Sequence, residues 1–225
     1  MSEPELRVPP HTSGGCGLSR VVRGVDPSAA ARVAELFHLS FGEKLAGLVL
    51  PADREAGIAL LSKSLRLDEV YAALDVRGQV TGVAIVTGRA PVVRADREAL
   101  IEAFGAFGGS WRYAAYRIVC AWPRAYPRKM RGLEGFSVAP ECRGKGIGSV
   151  MLGRIVRDAR AEGARAVELN VGDTNPARHL YERAGFVQLR TIRVGPFATR
   201  LGFKRFVFYE LPLQPKRDAR LTQHR

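Results

Sequence analysis

Apolar positions along the chain fall into two periodicities, and the alternation between them predicts an α/β domain. Val33, Phe37 and Phe41, with Ala30, Ala34 and Leu36, form a helical stripe behind Asp26-Pro27, a capping residue followed by a first-turn proline. A second helix is expected over 53–65, and a third over 96–107 through Leu100, Ile101, Phe104 and Phe107. A fourth runs from the glycines at 144–148 to about Ala161, with Val150, Met151, Leu152, Ile155, Val156 and Ala159 on its apolar side and Gly163 closing it. Asn175-Pro176 opens a fifth, which Gly185 ends. Between them lie β-type runs at 18–23, 70–76, 80–87, 133–138, 166–171, 186–194 and 204–211, and Arg77-Gly78-Gln79 reads as a hairpin turn. No internal repeat is visible.

The remaining stretches set the domain limits. Residues 1–17 carry Pro9-Pro10 and Ser13-Gly14-Gly15 without periodicity and read as a tail. The domain is expected over 18–212, with an expanded connection at 89–131 that holds Trp111, Tyr113, Tyr116 and Trp122. Lys216, Arg217, Arg220 and Arg225 make 213–225 a basic tail.

Composition narrows the class. With 225 residues, 46% of them hydrophobic and 25% charged, the chain is ordinary for a globular domain and too apolar for a disordered one. No apolar run approaches the roughly 18 residues of a spanning helix, so no membrane association is expected. The acidic start, Met1 to Glu5, has no apolar stretch of a secretory leader. Cys16, Cys120 and Cys142 show neither metal spacing nor a disulfide framework, from which a reducing, cytoplasmic setting and no metal are expected. Lys plus Arg exceeds Asp plus Glu by 35 to 22, a net charge of +13 that favours an anionic partner: nucleic acid, acidic lipid or a polyphosphate cofactor. Most of the excess is arginine scattered along the chain. Any nucleic-acid binding should therefore be weak, sequence-independent and lost as salt rises.

Candidate chemistry concentrates at Arg143-Gly144-Lys145-Gly146-Ile147-Gly148, between a strand and an amphipathic helix. Glycines let the backbone turn tightly and bring its N–H groups to an anion, and the helix start adds its positive end. A dinucleotide fingerprint fails at Ser149, where the third glycine belongs, although Glu168 lies at a suitable distance. A P-loop fails because Gly146 follows Lys145. A glycine-rich turn that binds nothing is the remaining alternative, and it leaves the entropy cost of the glycines unexplained.

Arg143-x-x-Gly146-x-Gly148 resembles the pyrophosphate motif of the GNAT N-acetyltransferase superfamily. The segment Asn175-Pro176-Ala177-Arg178-His179-Leu180-Tyr181-Glu182-Arg183-Ala184-Gly185-Phe186 resembles that superfamily's N-x-x-A-x-x-L-Y-x-x-x-G-F segment. The likeness is strong over 133–211, moderate over 18–88 and poor over 89–131. It implies the GNAT acyl-CoA N-acyltransferase fold: a mixed sheet of about seven strands, splayed between the fourth and fifth and flanked by helices. It also implies acetyl-CoA as co-substrate. Backbone groups of Phe136, Ser137 and Val138 would then bond the pantetheine arm, with the Val138 N–H polarising the thioester carbonyl. The amides of Arg143, Gly144, Lys145, Gly146, Ile147, Gly148 and Ser149 would hold the pyrophosphate. Asn175 would either touch the arm or cap its helix. Tyr181 would serve as general acid.

Two protons must leave an ammonium acceptor, so a base is also required. Strand alternation puts Glu134 on the face of Phe136 and Val138 and makes it the candidate, with water as the alternative. His179 reads as surface, and His11, His38 and His224 have no partner pattern. The leading function is acetyl transfer to a primary amine, a small molecule or a protein amino group. The other is a non-catalytic binder of RNA or a ribosomal partner on the same fold, which would be expected to lose some of Gly146, Asn175 and Tyr181. The acceptor, a longer acyl donor and homodimerisation stay open.

Overall fold

A computed structural model describes residues 16–45, 50–88, 96–121, 129–193 and 202–214, with backbone alone at 41–45, 116 and 118–121. Its strands are β1 (Leu18–Arg23), β2 (Val70–Asp75), β3 (Val80–Thr87), β4 (Met130–Val138), β5 (Ala166–Gly172), β6 (Val187–Arg193) and β7 (Arg205–Pro212). The helices are α1 (Ala30–Leu45), α2 (Arg54–Ser64), α3 (Arg97–Ala121), α4 (Ile147–Ala161) and α5 (Arg178–Arg183). Aspartates mark three helix starts. Asp26 accepts the Ser28 N–H in the 3-10 turn before α1, Asp53 accepts that of Ala56 ahead of α2, and Asp96 accepts that of Ala99 in the first turn of α3. The β2–β3 hairpin closes on Asp75, whose Oδ1 accepts the Arg77 and Gln79 N–H groups at 2.8 Å each.

The strands form one sheet in the order β1-β2-β3-β4-β5-β7-β6, antiparallel except for the parallel pair β4–β5. This is the mixed seven-stranded sheet expected from the sequence. Two glycines show how closely the helices approach it. A Cβ on Gly135 of β4 would lie 2.8 Å from the Phe37 ring of α1, and one on Gly82 of β3 would lie 2.8 Å from the Met151 sulfur of α4. Gly82 pairs with Val138, three residues from Gly135, so the two contacts fall on opposite faces. Helix α1 therefore covers one face and α4 the other. Leu36, Val83, Met151, Ile155, Val167 and Tyr209 are fully buried between them.

The connection after β3 departs from expectation. In place of a helix over 96–107, α3 runs to Ala121 in two arms that meet at Gly105, with φ 73° and ψ 169°. Gly109 then lies so close to Leu100 and Ile101 that a Cβ would fall 2.5 Å from their backbone. The reversal breaks the helical phase, and Phe107, expected on the apolar side, is 86% exposed. The Arg112 guanidinium stacks 3.9 Å from the Phe104 ring centre and 4.6 Å from that of Trp111. Strand β4 begins at Met130, three residues before the expected start. The Tyr116 side chain, Trp122, residues 1–15 and residues 215–225 lie outside the described residues.

One expectation is overturned. Cys16 and Cys142, 126 residues apart, form a disulfide with a Cα separation of 5.4 Å. Nothing local in the sequence announces it, because the pairing follows from where β1 and the end of β4 meet the sheet. Cys142 closes the 3-10 turn Pro140–Cys142, immediately before the glycine turn. Loop-closure entropy assigns such a bridge up to about 5 kcal/mol. Cys16→Ser, or reduction of the native chain, should lower the melting temperature. Alkylation of the unreduced, denatured protein, read by mass spectrometry, should label one of its three cysteines.

Candidate active site

The site starts where two strands part. Parallel pairing of β4 with β5 covers Met130↔Ala166 to Leu133↔Leu169 and then stops. On the other side β4 stays paired to β3 through Gly82↔Val138. From Glu134 to Val138, β4 thus keeps one ladder and has a gap where the other would be. At the same point a β-bulge inserts one residue. Ile85 pairs with Gly135 and Val86 with Leu133, which leaves Glu134 opposite neither. Beyond the bulge exposure alternates: Gly135 and Ser137 are buried, Phe136 and Val138 half-buried, and Glu134 exposed.

Ladder geometry shows which backbone groups face the gap. The Ala139 N–H donates to the Thr81 carbonyl at 2.9 Å, so residue 139 points at β3. Alternation then turns the N–H and C=O of Val138 and Phe136 toward the gap and those of Ser137 toward β3. The Ser137 side chain faces α1, where it accepts a hydrogen bond from the Ser40 hydroxyl at 2.8 Å. Ser137, expected to share the arm-binding role, is thus engaged away from the gap. Arg143 Nε donates to the Val138 carbonyl at 3.0 Å and holds the end of the strand against the turn.

The glycine turn opens α4 beside that gap. Gly144 has φ 74° and Gly146, the residue ahead of the helix, φ 78°; side-chain-bearing residues rarely take this left-handed region. The first helical bond of α4 is Val150 N–H to the Gly146 carbonyl at 3.1 Å, so the amides of Ile147, Gly148 and Ser149 precede it without helical partners. Arg143, Gly144 and Lys145 are exposed. Together these features suit a phosphate group. At Gly148 a Cβ would meet Leu180 at 3.2 Å and the Phe136 ring at 3.4 Å, so this glycine lets α4, α5 and β4 converge.

Tyr181 completes the convergence. It is 5% exposed, edge-on to Phe136 with ring centres 6.4 Å apart and tilted against Phe186 at 5.8 Å. Burial pushes its phenol up to about 12, so the hydroxyl stays protonated at neutral pH. Short as it is, α5 is well anchored. The Tyr209 hydroxyl of β7 donates to Glu182 at 2.6 Å and accepts from Arg178 Nε at 3.0 Å, while Arg178 Nη1 donates to the Asp173 carbonyl. Periodicity did not single out these three residues, and Tyr209 reads from sequence as strand filler. The Asn175 Oδ1 accepts the Ala177 N–H at 2.9 Å in the turn leading into α5, whose N-cap residue, Ala177, has no side-chain cap. His179 is exposed, with Nδ1 3.6 Å from Glu182.

Glu134 sits at the head of the gap. Thr87, the last residue of β3, donates from Oγ1 toward Glu134 Oε1 at 3.0 Å, with the Gly132 carbonyl at 3.4 Å. Among the described residues there is no group of three His, Cys, Asp or Glu side chains that would hold a metal, and no helix is long and apolar enough to cross a membrane.

Residues 93–186, which span the bulge, the turn and Tyr181, match the acetyltransferase (GNAT) family. That segment, somewhat under half of the chain, is what is similar to the GNAT family. The GNAT fold extends over most of the chain's length. A solved acetyltransferase shares 20% identity and a TM-score of 0.58, over 87% of this chain and all of that one. A protein described as histone acetyltransferase HPA2 and related acetyltransferase, from Corynebacterium glutamicum, shares 21% identity over 87% of this chain and 97% of that one, at a TM-score of 0.57. Drosophila melanogaster polyamine N-acetyltransferase shares 16% over 86% and 100%, at 0.52. Identities this low establish the common fold. No curated protein matches the sequence.

The glycine turn generates a test. If the turn holds the phosphates of acetyl-CoA, Gly146→Ala should weaken its binding in a titration calorimeter by at least tenfold, through strain at the left-handed residue. Gly163→Ala is the control, because Gly163 has φ 72° at the far end of α4 with open space around it. The two should destabilise the fold alike, by about 1–2 kcal/mol, while Gly163→Ala leaves binding unchanged.

Proposed function

We propose that this chain is an acetyl-CoA-dependent N-acetyltransferase that acts on a primary amine. The observation that supports this most strongly is the gap beside Glu134–Val138, with the Val138 N–H turned into it and the free amides of α4 at its mouth. A thioester arm laid in this gap as an extra strand would meet the backbone of Phe136 and Val138, and the amides from Arg143 to Ser149 would hold its pyrophosphate. Acetyl-CoA supplies the activated acetyl carbon.

In this mechanism Glu134, or water at its place, takes a proton from the ammonium, and the amine nitrogen attacks the acetyl carbon. The Val138 N–H stabilises the oxyanion. The carbon–sulfur bond breaks, nitrogen loses its second proton, and sulfur leaves as the thiol. Tyr181 would donate to that sulfur. Burial raises its phenol well above an ordinary thiol, so full transfer to a thiolate is uphill. Its main contribution is a hydrogen bond to the developing charge, with the proton following as the thiol departs. Solved relatives include a polyamine N-acetyltransferase and a protein described as a histone acetyltransferase, so the shared fold does not select an acceptor.

The test is thiol release from acetyl-CoA with a panel of amines: a polyamine, an arylalkylamine, an amino acid and a peptide with a free N-terminus. Glu134→Gln should lower kcat by about 10²–10⁴-fold if its carboxylate is the base. Near-normal turnover across pH 6 to 9 would assign proton removal to water. Tyr181→Phe should lower kcat by about 10–10²-fold, the worth of a hydrogen bond to charge, with affinity for acetyl-CoA unchanged. Because burial holds the phenol protonated to about 12, kcat should show no alkaline decline from Tyr181 below pH 10.

A further inference from the structure

We infer that Thr87 is a positioning residue for the Glu134 carboxylate, which it holds toward the head of the gap by a hydroxyl hydrogen bond from the neighbouring strand. The inference rests on Glu134 being the base. Three observations carry it.

The bulge leaves Glu134 without a residue opposite it on β3, so the ladder does not fix its direction as it fixes that of Phe136 or Val138. An exposed glutamate at such a point has three side-chain torsions to order, which a base placed for proton transfer must have ordered beforehand. Thr87 pairs with Gly132, two residues before the bulge, and its side chain is 3% exposed. The surrounding β3 sequence, Val80-Thr81-Gly82-Val83-Ala84-Ile85-Val86, supplies branched or small residues for packing, and valine would fill the position of Thr87 equally well.

A buried hydroxyl requires a partner, and Thr87 has one proton to give. Of its two acceptors, Glu134 Oε1 at 3.0 Å is nearer than the Gly132 carbonyl at 3.4 Å, and it carries charge, which strengthens the bond. The proton therefore belongs to Glu134 Oε1. The threonine gives the carboxylate a direction that the bulged ladder does not.

The experiment is a double-mutant cycle on Thr87 and Glu134, with the panel amine that gives the fastest thiol release. Thr87→Val should lower kcat by about tenfold with the KM for acetyl-CoA and the melting temperature unchanged, and Thr87→Ser should restore most of the rate. In a Glu134→Gln background Thr87→Val should cost nothing further, since no carboxylate remains to be aimed. An equal loss in both backgrounds, or no rescue by serine, would overturn the positioning role and leave Glu134 as base. If Glu134→Gln is itself silent, the base assignment fails and the positioning role fails with it. A direct readout is independent of turnover: Thr87→Val should shift the infrared carboxylate stretch that Glu134→Gln removes. An unchanged stretch would show that the hydroxyl does not bond Glu134.

Discussion

The arrangement turns on the end of one hydrogen-bond ladder, between Leu133 and Glu134. A strand inside a sheet must pair both of its edges or meet some other partner, because a buried backbone amide without one is costly. Strand β4 meets this requirement on β3 for its whole upper half and leaves the opposite edge, facing β5, without a strand. Everything identified at the site addresses that edge. Arg143 takes one of its carbonyls, Phe136 and Tyr181 wall it, and the glycine turn brings three helical amides to its mouth. The edge therefore offers backbone polar groups at peptide-like spacing, with helical amides at one end.

Two features keep the gap open. The bulge at Glu134 shifts the register of β4 where it leaves β5, and the anchoring of α5 to Tyr209 through Arg178 and Glu182 fixes the helix that carries Tyr181. Burial then does two things for that tyrosine: it packs the ring, and it holds the hydroxyl in its protonated form. Core packing and retention of the phenolic proton thus have one cause.

What the sequence disclosed and what it withheld divide along physical lines. The turn was legible because Gly144 and Gly146 are required by backbone angles that other residues rarely adopt. Most helices were legible because their apolar residues recur at helical spacing, and β2 and β3 because they are runs of β-type residues buried along nearly their whole length. The bulge was not, since register is a relation between two strands and neither β3 nor β4 encodes it alone. Thr87 looked like ordinary strand composition for the same reason. Phe107 was placed on the wrong side because Gly105, which resets the phase of α3, is a single residue in an otherwise regular pattern. The cysteine pair was invisible because its two halves meet only after the sheet has formed.

The short β4–β5 ladder has a mechanical meaning as well. Among the described residues, four residue pairs join the plate made of β1 to β4 to the plate made of β5, β7 and β6. A seam this short resists shear weakly, so the brace across it is α4, which packs on strands of both plates. The helix whose first-turn amides stand at the mouth of the gap is thus also the beam that spans the two plates.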